Sequence, residues 1–196
     1  MFQRLEDRIM DEVVSFTRMA DGTYDEYQML MRKYEPLVRH LPDQVIKSLK
    51  GLGGDPIGYK IDRYQHSLQT ASRAFRDGAD EETVVCALLH DIGDTLAPEN
   101  HAQLGAAVLR PYVSEDNHWL IKHHAIFQGY YYFHHVGLDR MEREKFRGHP
   151  MFQRTADFCE KWDQNSFDPD YDTMPLSAFE PMLRRLFARK PFTYGE

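Results

Sequence analysis

An uninterrupted apolar run, Val84–Leu89, ends directly in a histidine and an aspartate, His90-Asp91. A run of that character is buried, so it delivers two ionisable groups to the edge of a core. Placing them there is costly unless something compensates. One compensation is a hydrogen-bonded pair closing the end of a helix. The other is a metal ion: neutral imidazole and carboxylate both offer lone pairs, and a carboxylate can bridge two ions.

The rest of the chain reads as helices. Leu5, Ile9, Val13 and Phe16 recur at helical spacing. Thr23 with Glu26 forms a capping box that opens a second helix through Met29, Tyr34 and Leu37. Pro42 leads into a third, Asp43–Leu49. A loop follows at Gly51–Gly58, holding four of the twelve glycines and a proline, and is the one candidate boundary. Beyond it, Tyr64–Arg76 carries Leu68, Ala71 and Phe75 on one face. Asp80 caps a helix with Val84, Val85, Leu88, Leu89 and Ile92 inward. Asn100–Leu109, Ser114–Phe127, Thr155–Asp163 and Leu176–Phe187 complete the set, with turns at Phe167–Tyr171. No segment sustains a period of two. The expected fold is all-α: a single domain over 1–196, with an N-terminal helical cover (1–50), a metal-binding core (60–165) and a C-terminal turn and helix (166–196).

Each potential ligand falls on a different helix or helix end. His66 precedes His90 by 24 residues; His101 follows it by 11, His124 by 23 more and Asp163 by a further 39. Metal centres between packed helices are built from inward side chains of this kind. His123 adjoins His124, and periodicity does not separate them, because Leu120 and Ile121 share a face with either. His118 reads as a surface or capping residue.

The segment Arg63–Asp163 resembles the HD-domain superfamily, with His66, His90-Asp91 and Asp163 matching its four-ligand motif. His101 and His124 match the extra histidines of its dinuclear branch, in the spacing of the mixed-valent di-iron oxygenases typified by 2-amino-1-hydroxyethylphosphonate oxygenase and, distantly, myo-inositol oxygenase. The resemblance implies one metal on His66, His90, Asp91 and Asp163. It implies a second on His101, His124 and a bridging oxygen of Asp91, the residue assigned the catalytic position, and it favours His124 over His123. Nitrogen-rich ligation suits iron, manganese or zinc rather than magnesium or calcium.

The resemblance implies two chemistries. One is O₂-dependent oxidative cleavage of a small hydroxylated substrate at an Fe(II)/Fe(III) pair. The other is phosphohydrolysis with manganese, zinc or cobalt. A non-catalytic, metal-stabilised binding module is a third reading, disfavoured by the complete ligand set. Many HD phosphodiesterases carry a lysine shortly after His-Asp, whereas Ile92-Gly93-Asp94-Thr95 does not, and an anionic Asp94 would repel phosphate. The phosphonate-binding positions also differ. Tyr59 stands where the family has Glu, Gln128 for Lys, Glu160 for Arg and Asp94 for His. After His124 comes the aromatic run Phe127–His135; walls drawn from it, such as Tyr131, together with Asp94 and Glu160, would suit a cationic group. Lys60, Arg63, Arg147 and His149 are candidates for an anionic end. His134 and His135 are placed near the cavity.

Composition bounds the partners. The chain has a net charge of −7, without the basic footprint of nucleic-acid binding. It has no apolar run approaching a membrane span, and its first residues turn acidic at once, without the apolar stretch expected of a signal peptide. Two cysteines, Cys86 and Cys159, are too few for a disulfide framework, and a cytoplasmic location is expected. Ten histidines exceed what composition explains. The partners expected are a small-molecule substrate and O₂.

Overall fold

The computed structural model describes residues 13–191. Every regular element among them is helical: α1 (Tyr24–Arg39), α2 (Leu41–Lys50), α3 (Arg63–Arg76), α4 (Glu81–Leu89), α5 (His101–Leu109), α6 (Glu115–Tyr132), α7 (Phe152–Lys161) and α8 (Leu176–Phe187), with short 3-10 turns between. The fold is all-α. None of these helices is long and apolar enough to cross a membrane. The chain divides into two compact units, 1–44 and 45–196, inside α2 and ahead of the glycine loop.

In the first unit the capping box forms. Thr23 Oγ1 accepts from the Glu26 amide, while the Glu26 carboxylate accepts from Thr23 N at 2.9 Å. The expected first helix is not seen at its described end. Leu5 and Ile9 lie outside the described residues, and Val13 and Phe16 sit in non-helical chain. The reason is local: Ser15 N donates to Glu26 Oε1 at 2.6 Å and the Phe16 ring packs on Tyr27 at 5.5 Å, so this stretch folds back on the start of α1.

In the second unit α4 is the centre. Asp80 Oδ1 accepts from Thr83 N at 2.9 Å, and Thr83 through Leu89 are all buried. A buried leucine or valine contributes roughly 1.5–3 kcal/mol, so this helix anchors the core. It packs against α3, α6 and α8, while α5 and α7 pack on α6. Helix α3 is also buried without interruption, from His66 to Ser72. Four of those seven are polar besides His66, and each except Ser67 is answered. Thr70 and Ser72 hydroxyls donate to His66 O and Leu68 O; Gln69 exchanges bonds with the Asp168 backbone; Met174 N donates to Ser72 Oγ. The segment 166–174 therefore covers the face of α3 turned from α4. Phe75, expected inside, is 42% exposed, because burial ends with Ala74.

The start of α6 is fixed by Glu82. Its carboxylate accepts from Ser114 N at 2.7 Å, from Asn117 Nδ2 at 2.8 Å and from Arg189. Burial alone would raise its pKa, but these donors hold it down at about 2. Glu82→Gln is expected to cost about 1–2 kcal/mol of stability by urea unfolding at pH 7. A depressed carboxylate contributes stability present above its ordinary pKa of 4.5 and lost as pH falls through about 2. The gap between wild type and variant should accordingly close below pH 4.5.

Candidate metal centre

Five elements converge on one point. His66 lies in the first turn of α3, whose N-cap Asp62 accepts from Gln65 N at 2.8 Å. His90 is the C-cap of α4, and Asp91 follows it. His101 opens α5; His124 sits mid-way along α6; Asp163 begins the turn after α7. All but His101 are at most 4% exposed, and the His101 side chain is 22% exposed.

Asp91 divides the cluster. Its Oδ2 lies 3.4 Å from His66 Nε2 and 3.3 Å from His90 Nε2; its Oδ1 lies 3.2 Å from His124 Nε2 and 3.4 Å from His101 Nε2. Asp163 Oδ1 joins the first group, 3.2 Å from His66 and 3.7 Å from His90. His123 is not part of this. It points away, stacked on Trp119 at 4.1 Å.

The tautomers follow from the second nitrogens. His66 Nδ1 donates to Ser166 O at 2.8 Å, His90 Nδ1 to Ala87 O at 2.8 Å, His124 Nδ1 to Ile121 O at 2.7 Å and His101 Nδ1 to Pro98 O at 3.2 Å. Each ring thus turns its Nε2 lone pair inward. His66 Nε2 and His90 Nε2 face each other at 3.1 Å, where two lone pairs repel unless a cation or proton lies between them. Metal–nitrogen bonds of about 2.0–2.1 Å place neighbouring ligand atoms about 3.0–3.4 Å apart, as these are. Backbone carbonyls fixing the outer nitrogen are the usual support of metal-bound histidine. The donor set fits metal ions, and these buried His and Asp groups could hold them.

Without metal, protons perform the same compensation. Burial opposes charge on His90, but the Asp91 and Asp163 carboxylates outweigh it and raise its pKa well above the ordinary value. Burial would likewise raise Asp91 and Asp163, yet the surrounding imidazoles hold both low. Cys86 and Cys159 are buried free thiols whose pKa burial pushes up, so neither supplies a thiolate.

Two glycines permit this geometry. A Cβ on Gly105 would stand 2.8 Å from His90 O, and one on Gly93 would stand 2.5 Å from His101 O. They let α5 lie directly on the His90-Asp91 turn. Gly105→Ala is expected to cost about 1–3 kcal/mol and to lower metal occupancy of the half containing His101, checked by thermal melting and metal content.

A cavity of about 210 Å³ opens over Asp91, Asp163, His101 and His124. Tyr59, Arg63, Gln128 and Tyr131 line it as the sequence suggests. Lys60 and Glu160 do not; both are exposed. Asp94 is not in the lining; it is paired, 3.0 Å from Arg63 Nε and 3.2 Å from His101 Nδ1, although burial and the Asp91 carboxylate outweigh these partners and raise its pKa. The cation-binding expectation is corrected accordingly: Asp94 is engaged, Glu160 is elsewhere, and the faces of Tyr59 and Phe167 already hold the Arg63 guanidinium. His134 and His135 are exposed beside each other in the turn after α6, away from the cavity lining. Arg147 pairs with Glu144, and His149 stacks on Trp119, both likewise away from it. His118, partly buried, takes a bond from Arg110 at 3.0 Å.

Residues that sequence reasoning passed over are Phe167, Gln164 and Ala125 in the lining, and Ser166, whose carbonyl orients His66. Phe167 stacks on His66 at 4.4 Å. Ala125 was within reach, one position after His124 on the same helix, and Tyr132 belongs to the aromatic run from which walls were expected.

The model of the HD-domain family matches residues 63–149. That span holds His66, His90, Asp91, His101 and His124; Asp163 lies beyond it and joins the cluster by geometry alone. No curated protein matches the chain.

Proposed function

We propose that this protein is a dinuclear metalloenzyme that oxidatively cleaves a small hydroxylated organic substrate with O₂. HD-domain proteins are usually metal-dependent enzymes, mostly hydrolases, which supports the metal. The observation that carries the dinuclear reading is the division of Asp91, one oxygen toward His66 and His90 and the other toward His101 and His124. Four imidazoles, two carboxylates and no thiolate make a donor set suited to iron. The resemblance to mixed-valent di-iron HD oxygenases supports iron and O₂ over hydrolysis.

In this reading His66, His90, Asp91 and Asp163 hold one ion, and Asp91, His101 and His124 the other. Bound metal would polarise a substrate oxygen and, as an iron pair, exchange electrons with O₂. The chain supplies the surroundings. The carbonyls of Ser166, Ala87, Pro98 and Ile121 hold the imidazoles in one tautomer. Phe158, buried, packs against His90 and His124 and excludes water from the inner side, while Phe167 stacks on His66 from the cavity wall. Tyr59 and Tyr132, half-exposed, stand at the mouth. The small cavity favours a metabolite-sized ligand.

Arg63 favours a second reading, a phosphohydrolase. It places a cation where phosphate charge would fall, and it pairs with Asp94, the anion that would repel phosphate. Protein produced with iron and partly oxidised separates the two. A coupled mixed-valent EPR signal with substrate-dependent O₂ consumption is expected. Two zinc or manganese ions, no such signal and O₂-independent phosphate release would overturn the oxygenase.

A further inference from the structure

Among the described residues, Arg63 is the one lysine or arginine lining the cavity. It is the first residue of α3, three before His66. Its Nε lies 3.0 Å from Asp94 Oδ2 and its Nη1 3.7 Å from Asp91 Oδ2, while Nη2 makes no hydrogen bond among the described residues. The rings of Tyr59 and Phe167, stacked on each other at 4.9 Å, both lie against the guanidinium, with centroids 5.1 and 5.9 Å away. Stacking fixes the direction of the guanidinium fork, which suits arginine for planar, two-pronged recognition of carboxylate or phosphate.

Three carboxylates, Asp91, Asp94 and Asp163, oppose this single guanidinium in the metal-free protein. Two divalent ions reverse that balance from net negative to net positive. Asp91 is then engaged with the ions, and Arg63 retains only Asp94 as counter-charge. Lys60, the other nearby cation, is exposed and outside the lining.

We infer that Arg63 anchors an anionic group of the substrate, a carboxylate or phosphate, beside the metal centre, so the cavity takes a small organic anion rather than a neutral polyol or a cation. This rests on the dinuclear reading and holds for either reaction. Asp94 competes with the incoming anion for the guanidinium, so the two residues should affect binding in opposite directions.

The test uses the full chain loaded with zinc, which is redox-inert, and ligands that carry no phosphate ester, so neither reaction turns over. Metal content is counted first. Inorganic phosphate, glycolate and ethylene glycol are then titrated calorimetrically into wild type, Arg63→Gln and Asp94→Asn. Wild type should bind one of the anions at least about tenfold tighter than ethylene glycol, and which one distinguishes phosphate from carboxylate. Arg63→Gln should weaken that anion at least about tenfold and leave ethylene glycol within about twofold. Asp94→Asn should tighten the anion about threefold. An arginine that merely supports the wall would shift all three ligands alike. With two metals bound, any of three results overturns the anchor: ethylene glycol binding as well as the anions, Arg63→Gln leaving the anion unchanged, or Asp94→Asn weakening it. The last decides the matter should Arg63→Gln not fold. A wild type that takes up no metal overturns the dinuclear reading instead, and the anchor with it.

Discussion

Replacing Asp91 with alanine is expected to take the protein from two bound metals per chain to none, and turnover to background. Among the described residues no other side chain has an oxygen facing each half of the cluster: Oδ2 lies 3.3–3.4 Å from His90 and His66, and Oδ1 lies 3.2–3.4 Å from His124 and His101. Losing it removes one ligand from each half and the charge that balances both ions. A metal contributes several kcal/mol to transition-state stabilisation, so a fall of at least about 10³-fold is expected. The contrast is Asp163→Ala. Asp163 Oδ1 faces only His66 and His90, so one metal should remain, on the His101 side. Atomic emission measures both cases. Deleting a buried carboxylate strands its imidazoles, so far-UV dichroism and Asp91→Asn, which keeps the volume, accompany the experiment. Two metals retained in Asp91→Asn would sink the bridging role.

Much of this arrangement was legible because buried helices write it into composition. Six apolar residues leading into His90-Asp91 could end only at the edge of a core, and α4 is buried from Thr83 to Leu89. Helix starts followed from capping residues, with Thr23, Asp80 and Ser114 each accepting from an amide three positions on, whereas Ser114–Phe127 continues to Tyr132. Other parts were not legible, for identifiable reasons. Helix α3 reads as amphipathic, yet it is covered on two sides, because its polar residues bond to the 166–174 segment from about a hundred positions away. No local pattern encodes that pairing. His123 and His124 share neighbours on α6, and only the rotation of that helix against α4 turns His124 to Asp91 and His123 to Trp119. Asp94 looked like a free anion because its partners, Arg63 and His101, come from two other helices. Glu160 was assigned by position in a motif and Lys60 by its charge, and neither determines which way an exposed side chain points.

Stripping metal with a chelator should lower the melting temperature by more than about 10 °C at pH 8 and by far less at pH 5.5. The sign comes from competition between metal and proton for the same lone pairs. In the metal-free protein, burial opposes a charged His90, but Asp91 and Asp163 prevail and raise its pKa well above 6.5. A group raised on folding contributes stability fully present below its unfolded pKa near 6.5 and lost as pH climbs through the folded value. Asp91 and Asp163 act in reverse. Both are lowered from 3.8, so their contribution is present above that value and lost as pH falls through the folded values. The metal-free protein therefore has its strongest support from this cluster between pH 3.8 and 6.5 and loses it upward. The loaded protein gains over the same range, because imidazole must be neutral to bind metal. Metal at a thousand times its dissociation constant adds about 4 kcal/mol per site, and in a chain of this size each kcal/mol is worth about 2–4 °C. Melting with and without chelator from pH 5.5 to 8 measures the widening gap. Titration of metal in buffers of different ionisation enthalpy should show proton release. A gap that stays constant with pH, with no protons released, would mean that His90 does not exchange its proton for metal.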